Sequence, residues 1–112
     1  MAFYEAAGFY QINNEERKFT GILEIKEEKI TGHLLEQDSI CAENTVEGRT
    51  LNSRIEIKKT PSFALAPVFF SFIKSDKIED AEGHYSGFWS YEEKIKRNFD
   101  RRAEISLVTI IE

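Results

Sequence analysis

The chain has 112 residues, with 15 Lys and Arg against 20 Asp and Glu for a net charge of −5, and 41% of its residues are hydrophobic. This length predicts a single domain spanning residues 1–112, which excludes a multidomain enzyme, and the 9 Phe, 4 Tyr and 1 Trp exclude an intrinsically disordered chain. The net acidity disfavours broad binding to nucleic acid, because neutralising phosphates requires clustered cations.

Several features bear on the compartment. The opening residues carry Glu5 and lack the basic start of a secretory signal, and no apolar run approaches the roughly 20 residues of a membrane span. The single Cys41 excludes an intramolecular disulfide and a multi-thiolate metal site. We therefore expect a cytoplasmic protein without a membrane segment.

The first half of the chain reads as strands separated by turns. A strand is predicted at 9–12, and a short helix or 3₁₀ segment is an alternative for 3–7. Residues 19–25 and 29–36 alternate around a turn at Glu27 and Glu28, which predicts a hairpin. Two further strands are predicted at 40–50 and 54–59, separated by a turn at Asn52 and Ser53, and the second has Ile55 and Ile57 inward and Arg54, Glu56 and Lys58 outward.

The second half continues the same rhythm. Strands are predicted at 68–73, 83–91 and 103–111, and a short helix remains an alternative for 91–101. About eight strands with short connections predict an all-β, antiparallel up-and-down meander barrel, because closure of the sheet removes its exposed edges. Glycines inside four of the strand segments indicate bends or close backbone approach: Gly21, Gly32, Gly48 and Gly87.

A series of short segments extends over nearly the whole chain: Gly8-Phe9-Tyr10, Phe19-Thr20-Gly21, Ile30-Thr31-Gly32, Val46-Glu47-Gly48 and Tyr85-Ser86-Gly87-Phe88-Trp89. Their order resembles the calycin-like meander barrels, the group of lipocalins and avidins, with Tyr10 in the place of the Trp of the lipocalin Gly-x-Trp motif. The resemblance implies a barrel with one open end, where these proteins commonly hold a small apolar ligand, and a group that also includes protein inhibitors.

Aromatic residues supply the candidate ligand site. Tyr85, Trp89 and Tyr91 share one parity of the aromatic strand, and together with Phe70 they are predicted to contact a small apolar or aromatic ligand. The high Phe content favours the alternative in which the same side chains simply fill the barrel.

Two loops supply the candidate protein-binding surface. Phe63 and Leu65 lie between Pro61 and Pro67, where they would either anchor a partner or fold back over the core. The segment 94–102 is the main basic run, and its predicted contacts are Lys96, Arg97, Arg101 and Arg102, although such runs are most often solvated loops. The preferred function at this stage is a non-enzymatic module that inhibits or recruits a protein partner, and the alternative is a small-ligand carrier.

An enzyme is the third hypothesis. His33 and His84 could meet across a sheet and act as acid and base, or bind a metal with Glu36 or Glu47. Two histidines without a spaced third ligand are not a metal signature, and Cys41 has no neighbouring base that would activate it. No metal or cofactor is therefore expected.

Overall fold

The computed structural model describes residues 2–37, 43–62, 66–74 and 81–111. Eight antiparallel strands close into one barrel. The strands are β1 (Ala2–Ile12), β2 (Glu15–Lys26), β3 (Lys29–Glu36), β4 (Glu43–Leu51), β5 (Arg54–Pro61), β6 (Val68–Lys74), β7 (Gly83–Ser90) and β8 (Arg102–Ile111). The prediction of an all-β up-and-down barrel is confirmed.

Tight turns connect the first hairpins. Asn13 and Asn14 both have positive φ between β1 and β2, as do Glu27 between β2 and β3 and Asn52 between β4 and β5. The predicted turns at Glu27 and Asn52 are thus confirmed. Positive φ in two-residue turns matches the right-handed twist of the strands, and Asn tolerates that conformation better than most side chains.

Pairing between the first and last strands completes the barrel. β1 pairs with β2 along its whole length and with β8 from Phe3 to Tyr10, so both edges of the chain's first strand are paired. Each remaining strand pairs with its neighbours in the sequence.

Side chains alternate between the barrel interior and its outer surface. Along β5, Ile55 and Ile57 are buried while Arg54 is exposed, as the alternation predicts. Aromatic rings fill much of the interior, with Phe70 and Phe72 stacked at a centroid distance of 5.4 Å and Phe19 edge-on to Phe70 at 6.2 Å. The predicted filling of the barrel therefore holds for its centre.

Two local expectations change. Residues 3–7 are neither a helix nor a 3₁₀ segment but belong to β1, where Tyr4 and Ala6 alternate into the core and the backbone pairs on both sides. In 91–101 the only helical part is a 3₁₀ turn at Phe99–Arg101, capped by the Asn98 side chain, which accepts from the Asp100 amide. No helix in the described part of the chain has the length and apolar character needed to cross a bilayer.

Candidate ligand site at the mouth of the barrel

The two ends of the barrel differ. At one end, called here the mouth end, the odd-numbered strands finish and the even-numbered strands begin. The opposite end carries the tight turns at Glu27 and Asn52, the start of β1 and the end of β8. The two loops selected from the sequence, 61–67 and 94–102, thus belong to the same end.

A buried polar cluster lies inside the barrel near the mouth end. Tyr10 of β1 donates its hydroxyl hydrogen to Glu36 Oε1 of β3 at 2.7 Å, and Lys59 Nζ of β5 donates to the Tyr10 oxygen at 3.0 Å. Lys59 also forms an ion pair with Glu36 Oε1, and Arg17 Nη1 of β2 lies 3.9 Å from Glu36 Oε2. Four strands therefore contribute to one hydrogen-bonded and charged cluster in which Glu36 holds the two cations.

Burial changes the acid–base properties of this cluster. Removal from water lowers the pKa of Lys59 from 10.5 to about 7, and the positive charge of Arg17 acts in the same direction. Burial also raises the pKa of the Tyr10 phenol, against an opposing contribution from Arg17. The Lys59 amine therefore loses its proton far more readily than that of an ordinary lysine.

A cavity of about 260 Å³ opens beside the cluster. Four of its lining residues are the cluster itself, and the others are Ile12, Asn44, Pro61, Ala66, Val68 and Tyr91. Because typical small-molecule pockets measure roughly 300–1,000 Å³, this volume suits a compact molecule. Five of the ten lining residues are the four residues of the cluster and Asn44, so the cavity has a strongly polar side that faces apolar and aromatic walls.

The aromatic residues predicted to bind a ligand are divided between the two ends. Tyr91 lines the cavity, with its ring edge-on to that of Trp89 at 5.2 Å. Trp89 and Phe70 are buried behind it around Tyr10, at 5.6 and 5.5 Å from its ring. The Trp89 indole donates to the Gln11 carbonyl at 2.6 Å, so its polar group is engaged by the barrel itself. Tyr85 lies toward the opposite end, where its hydroxyl donates to the Ala81 carbonyl at 2.8 Å.

The basic residues predicted to bind a partner occupy two settings. Lys96, Arg97 and Arg102 are exposed, whereas the Arg101 guanidinium is half-buried and lies 5.0 Å from the Trp89 ring centroid and 6.0 Å from that of Tyr91. Arg101 thereby connects the basic segment to the aromatic wall of the cavity. Phe63, Leu65 and Cys41 lie outside the described residues.

The two histidines do not meet. His33 is on the outer surface of β3, and His84 is on that of β7, and these strands are not neighbours in the barrel. His84 instead contacts Glu104 Oε1 at 2.7 Å and Ser106 Oγ at 3.0 Å on the adjacent strand β8. Among the described residues no group of three His, Cys, Asp or Glu side chains is arranged to hold a metal. The idea of a joint His33–His84 site is therefore wrong, because alternation turns both rings outward on separate strands.

A larger groove of about 830 Å³ lies along the outer surface of β3 to β6. Charged side chains in its wall are paired with each other, Arg49 with Glu56 at 2.9 Å and Lys58 with Glu47 at 3.9 Å. Exposed pairs of this kind are typical of a solvated sheet surface. The smaller cavity, with its buried charges, is the stronger candidate site.

Sequence reasoning missed the central residues of this site. Lys59 lies two residues after the inward Ile57 of β5, so the alternation of that strand directs its side chain inward. Glu36 lies two residues after the inward Leu34 of β3 and is directed inward for the same reason. Lys59 was given no role in the sequence analysis, and Glu36 was considered only as a metal ligand. The usable signal was a charged residue on the apolar face of a strand, which almost always requires a buried partner.

Comparison with protein-family models, with curated proteins and with solved structures finds no significant match to this chain.

Proposed function

We propose that this barrel binds a small molecule in its mouth cavity, with an apolar or aromatic body and one oxygen-bearing polar group. The observation that carries this proposal is the cluster of Tyr10, Glu36 and Lys59, which is buried, hydrogen-bonded and yet lines a cavity. A buried ion pair contributes little net stability compared with apolar packing. Ionisable groups with shifted pKa values beside a pocket are instead typical of functional sites.

The lining suggests how the ligand would lie. Ile12, Val68 and the ring of Tyr91 offer an apolar surface, while the Lys59 amine and the Arg17 guanidinium are hydrogen-bond donors at the cavity wall that suit an oxygen atom. This proposal corresponds to the carrier implied by the calycin resemblance, and it rests here on the cavity and its side chains.

The first experiment is native mass spectrometry of the protein purified gently from its own cells, because it detects any bound molecule by its mass alone. We expect a small adduct in stoichiometric amount. The second experiment is an NMR titration with benzyl alcohol, which joins one aromatic ring to one hydroxyl. Chemical shifts should change for residues around Tyr91 and Val68.

A pair of variants controls the titration. Ala66→Trp places a large ring at the rim of the cavity and should abolish the shifts, whereas Ala7→Trp, at an exposed position on the outer surface of β1, should preserve them. Shifts that persist in Ala66→Trp, or that map to the outer surface, would exclude the cavity as the binding site.

Binding of a protein partner is a second candidate, favoured by the exposed basic segment at the same end. Phe99 is 69% exposed although its ring touches Phe88, and it stands among Lys96, Arg97 and Arg102. An exposed aromatic ring surrounded by cations suits an acidic protein surface. Phe63 and Leu65 are the sequence-predicted additions to this surface.

The test of the second candidate compares two triple variants. Lys96→Glu, Arg97→Glu and Arg102→Glu should remove a co-purifying protein from the native mass spectrum. Lys26→Glu, Lys29→Glu and Arg54→Glu make the same charge change at exposed positions of the opposite end and should retain it. Equal loss in both variants would indicate a general effect of charge and contradict a specific surface.

A further inference from the structure

We propose that Lys59 is a covalent attachment point and that the ligand class of the mouth cavity includes small aldehydes, which Lys59 captures as an imine. The inference rests on the proposed function, since it names the chemistry of the same cavity. Its basis is the juxtaposition of a buried amine, a phenol and a carboxylate at the wall of the mouth cavity.

The Lys59 amine is held in a fixed position at the cavity wall. The Lys59 side chain is only 2% exposed, and its Nζ is held by the Tyr10 hydroxyl and by Glu36 while the residue lines the cavity. The amine also lies 4.5 Å from the centroid of the Tyr10 ring. A molecule inside the cavity would therefore meet an amine of fixed orientation, which lowers the entropic cost of reaction.

The protonation state of the Lys59 amine also favours attack on a carbonyl group. An amine must be neutral to attack a carbonyl, and burial lowers the pKa of Lys59 to about 7, so a substantial fraction is neutral at neutral pH. The charged and titratable groups around it are Tyr10 from β1, Arg17 from β2 and Glu36 from β3, with Tyr91 across the cavity. Arg17 favours the neutral amine, whereas Glu36 favours the cation that the imine will carry.

Tyr10 and Glu36, which contact the Lys59 amine, can carry the proton transfers that imine formation requires. The Nζ lone pair attacks the carbonyl carbon, and the carbonyl oxygen takes up a proton donated by Tyr10, which gives the carbinolamine. A proton lost from the nitrogen returns to Tyr10 directly or through Glu36. Tyr10 then donates a proton to the hydroxyl, which leaves as water and gives a protonated imine with the Glu36 carboxylate as its counterion. Return of the imine proton to Tyr10 completes the balance, in which one aldehyde and one neutral amine yield one neutral imine and one water.

The cavity restricts the aldehyde by size. A volume of about 260 Å³ accommodates one aromatic ring or a short alkyl chain against Ile12, Val68 and Tyr91. Lys74 is a useful contrast because it is also buried in the barrel but lies at the opposite end, 5.8 Å from the Tyr85 ring. It does not line the mouth cavity.

The experiment is reductive trapping of the folded protein with benzaldehyde and cyanoborohydride near neutral pH. Each captured aldehyde adds its own mass less one oxygen atom, and peptide mapping then locates the modified amines. We expect Lys59 to be labelled roughly tenfold or more faster than any exposed lysine, because exposed amines remain protonated. In denaturing urea this preference should disappear.

Variants link the labelling to the site. Lys59→Arg keeps a cation for Glu36 but cannot form an imine, so the rapidly labelled amine should be lost. Lys74→Arg should still show the rapid labelling of Lys59. Ala66→Trp should slow the labelling of Lys59 by narrowing the cavity, and Ala7→Trp should not. Peptide mapping of the labelled protein with its natural sequence shows whether Lys59 reacts fastest. This comparison does not depend on the folding of any variant.

The outcomes separate this inference from the proposed function. Benzyl alcohol binding in the cavity together with labelling confined to the α-amine and exposed lysines would overturn imine formation while the binding function stands. Absence of both would overturn both. Rapid labelling of Lys59 that is unchanged in Ala66→Trp would also overturn the inference, because the aldehyde would then reach the amine by another route.

Discussion

Lys59 and Glu36 illustrate what an inward position demands of a charged side chain. Each lies on the apolar face of its strand, and a single buried charge there would cost several kcal/mol. The barrel lowers this cost because β3 and β5 carry opposite charges at the same depth and β1 adds the Tyr10 hydroxyl. The three side chains therefore depend on one another, and removal of one leaves the others poorly solvated.

The lowered pKa of Lys59 predicts how stability depends on pH. Between about pH 7 and 10 the unfolded chain binds a proton at this lysine that the native protein does not hold, so stability should rise with pH by up to about 1.4 kcal/mol per pH unit. The gain is absent below the folded pKa, where both states are protonated. Denaturant unfolding at several pH values measures the slope.

Two variants serve as controls for this slope. The double variant Glu36→Gln and Lys59→Met removes both charges, so it should fold and lose this component of the slope. Lys18→Met removes an exposed lysine of β2 and should keep the slope of the unmodified protein. An unchanged slope in the double variant would show that Lys59 has the same proton affinity in the folded and unfolded states.

At the scale of the strand, β7 shows why glycine occurs within a sheet that is otherwise rich in large side chains. A Cβ on Gly87 would collide with the backbone carbonyl of Ser71 on β6. The other three glycines predicted to allow close approach face the backbone of a neighbouring strand in the same way: Gly21, Gly32 and Gly48. The interpretation of these positions from the sequence is thus confirmed by the contacts.

The contact at Gly87 predicts a local intolerance of side chains. Gly87→Ala should destabilise the protein by about 1–3 kcal/mol, because β6 and β7 must separate to admit the methyl group. Ser86→Ala, at the adjacent exposed position of the same strand, should change stability by about 0.5 kcal/mol or less. Thermal or denaturant unfolding compares the two, and equal effects would contradict the crowding argument.

Closure of the barrel gives the terminal strands β1 and β8 the same environment as the internal strands. β1 and β8 pair over most of their lengths, and Ala6 and Leu107 meet there inside the core. In an open sheet these two strands would be edges with unpaired amides. The closed barrel instead protects both.

Amide hydrogen exchange tests this closure. Amides of β1 and β8 that take part in their pairing should exchange about as slowly as those of β3 and β6, because they open only with the whole barrel. The segment 91–98, which lies outside the strands, provides a rapidly exchanging internal reference. Fast exchange along β1 and β8 alone would indicate that the barrel opens at this seam.

Much of the fold followed from local patterns. The hairpin of β2 and β3, the inward Ile55 and Ile57 and the turn at Asn52 were all visible in the sequence, because alternation and turn chemistry act over a few residues. A helix or 3₁₀ segment stayed open for residues 3–7, because Glu5, Ala6 and Ala7 suit a helix when judged alone. Pairing with β2 and β8 outweighs that propensity.

The candidate site was predictable only in part. The parity of Trp89 and its place inside the barrel followed from the aromatic strand, but the separation of Tyr85 from Tyr91 did not, since it depends on which end each strand position occupies. The cluster at Lys59 needed the register of several strands. Tyr10 and Lys59 are 49 residues apart in the chain, and no local pattern relates them.

Most of the strands, several of their turns and the alternation of side chains within each strand follow from the sequence, because these depend on short-range sterics and on a period of two residues. Which side chains meet follows from the closed barrel. Closure of the barrel brings β1, β2, β3 and β5 around one cavity, and the pairing registers place Tyr10, Arg17, Glu36 and Lys59 at the same depth. The lowered pKa of Lys59 arises from that shared burial and not from any neighbour in the sequence.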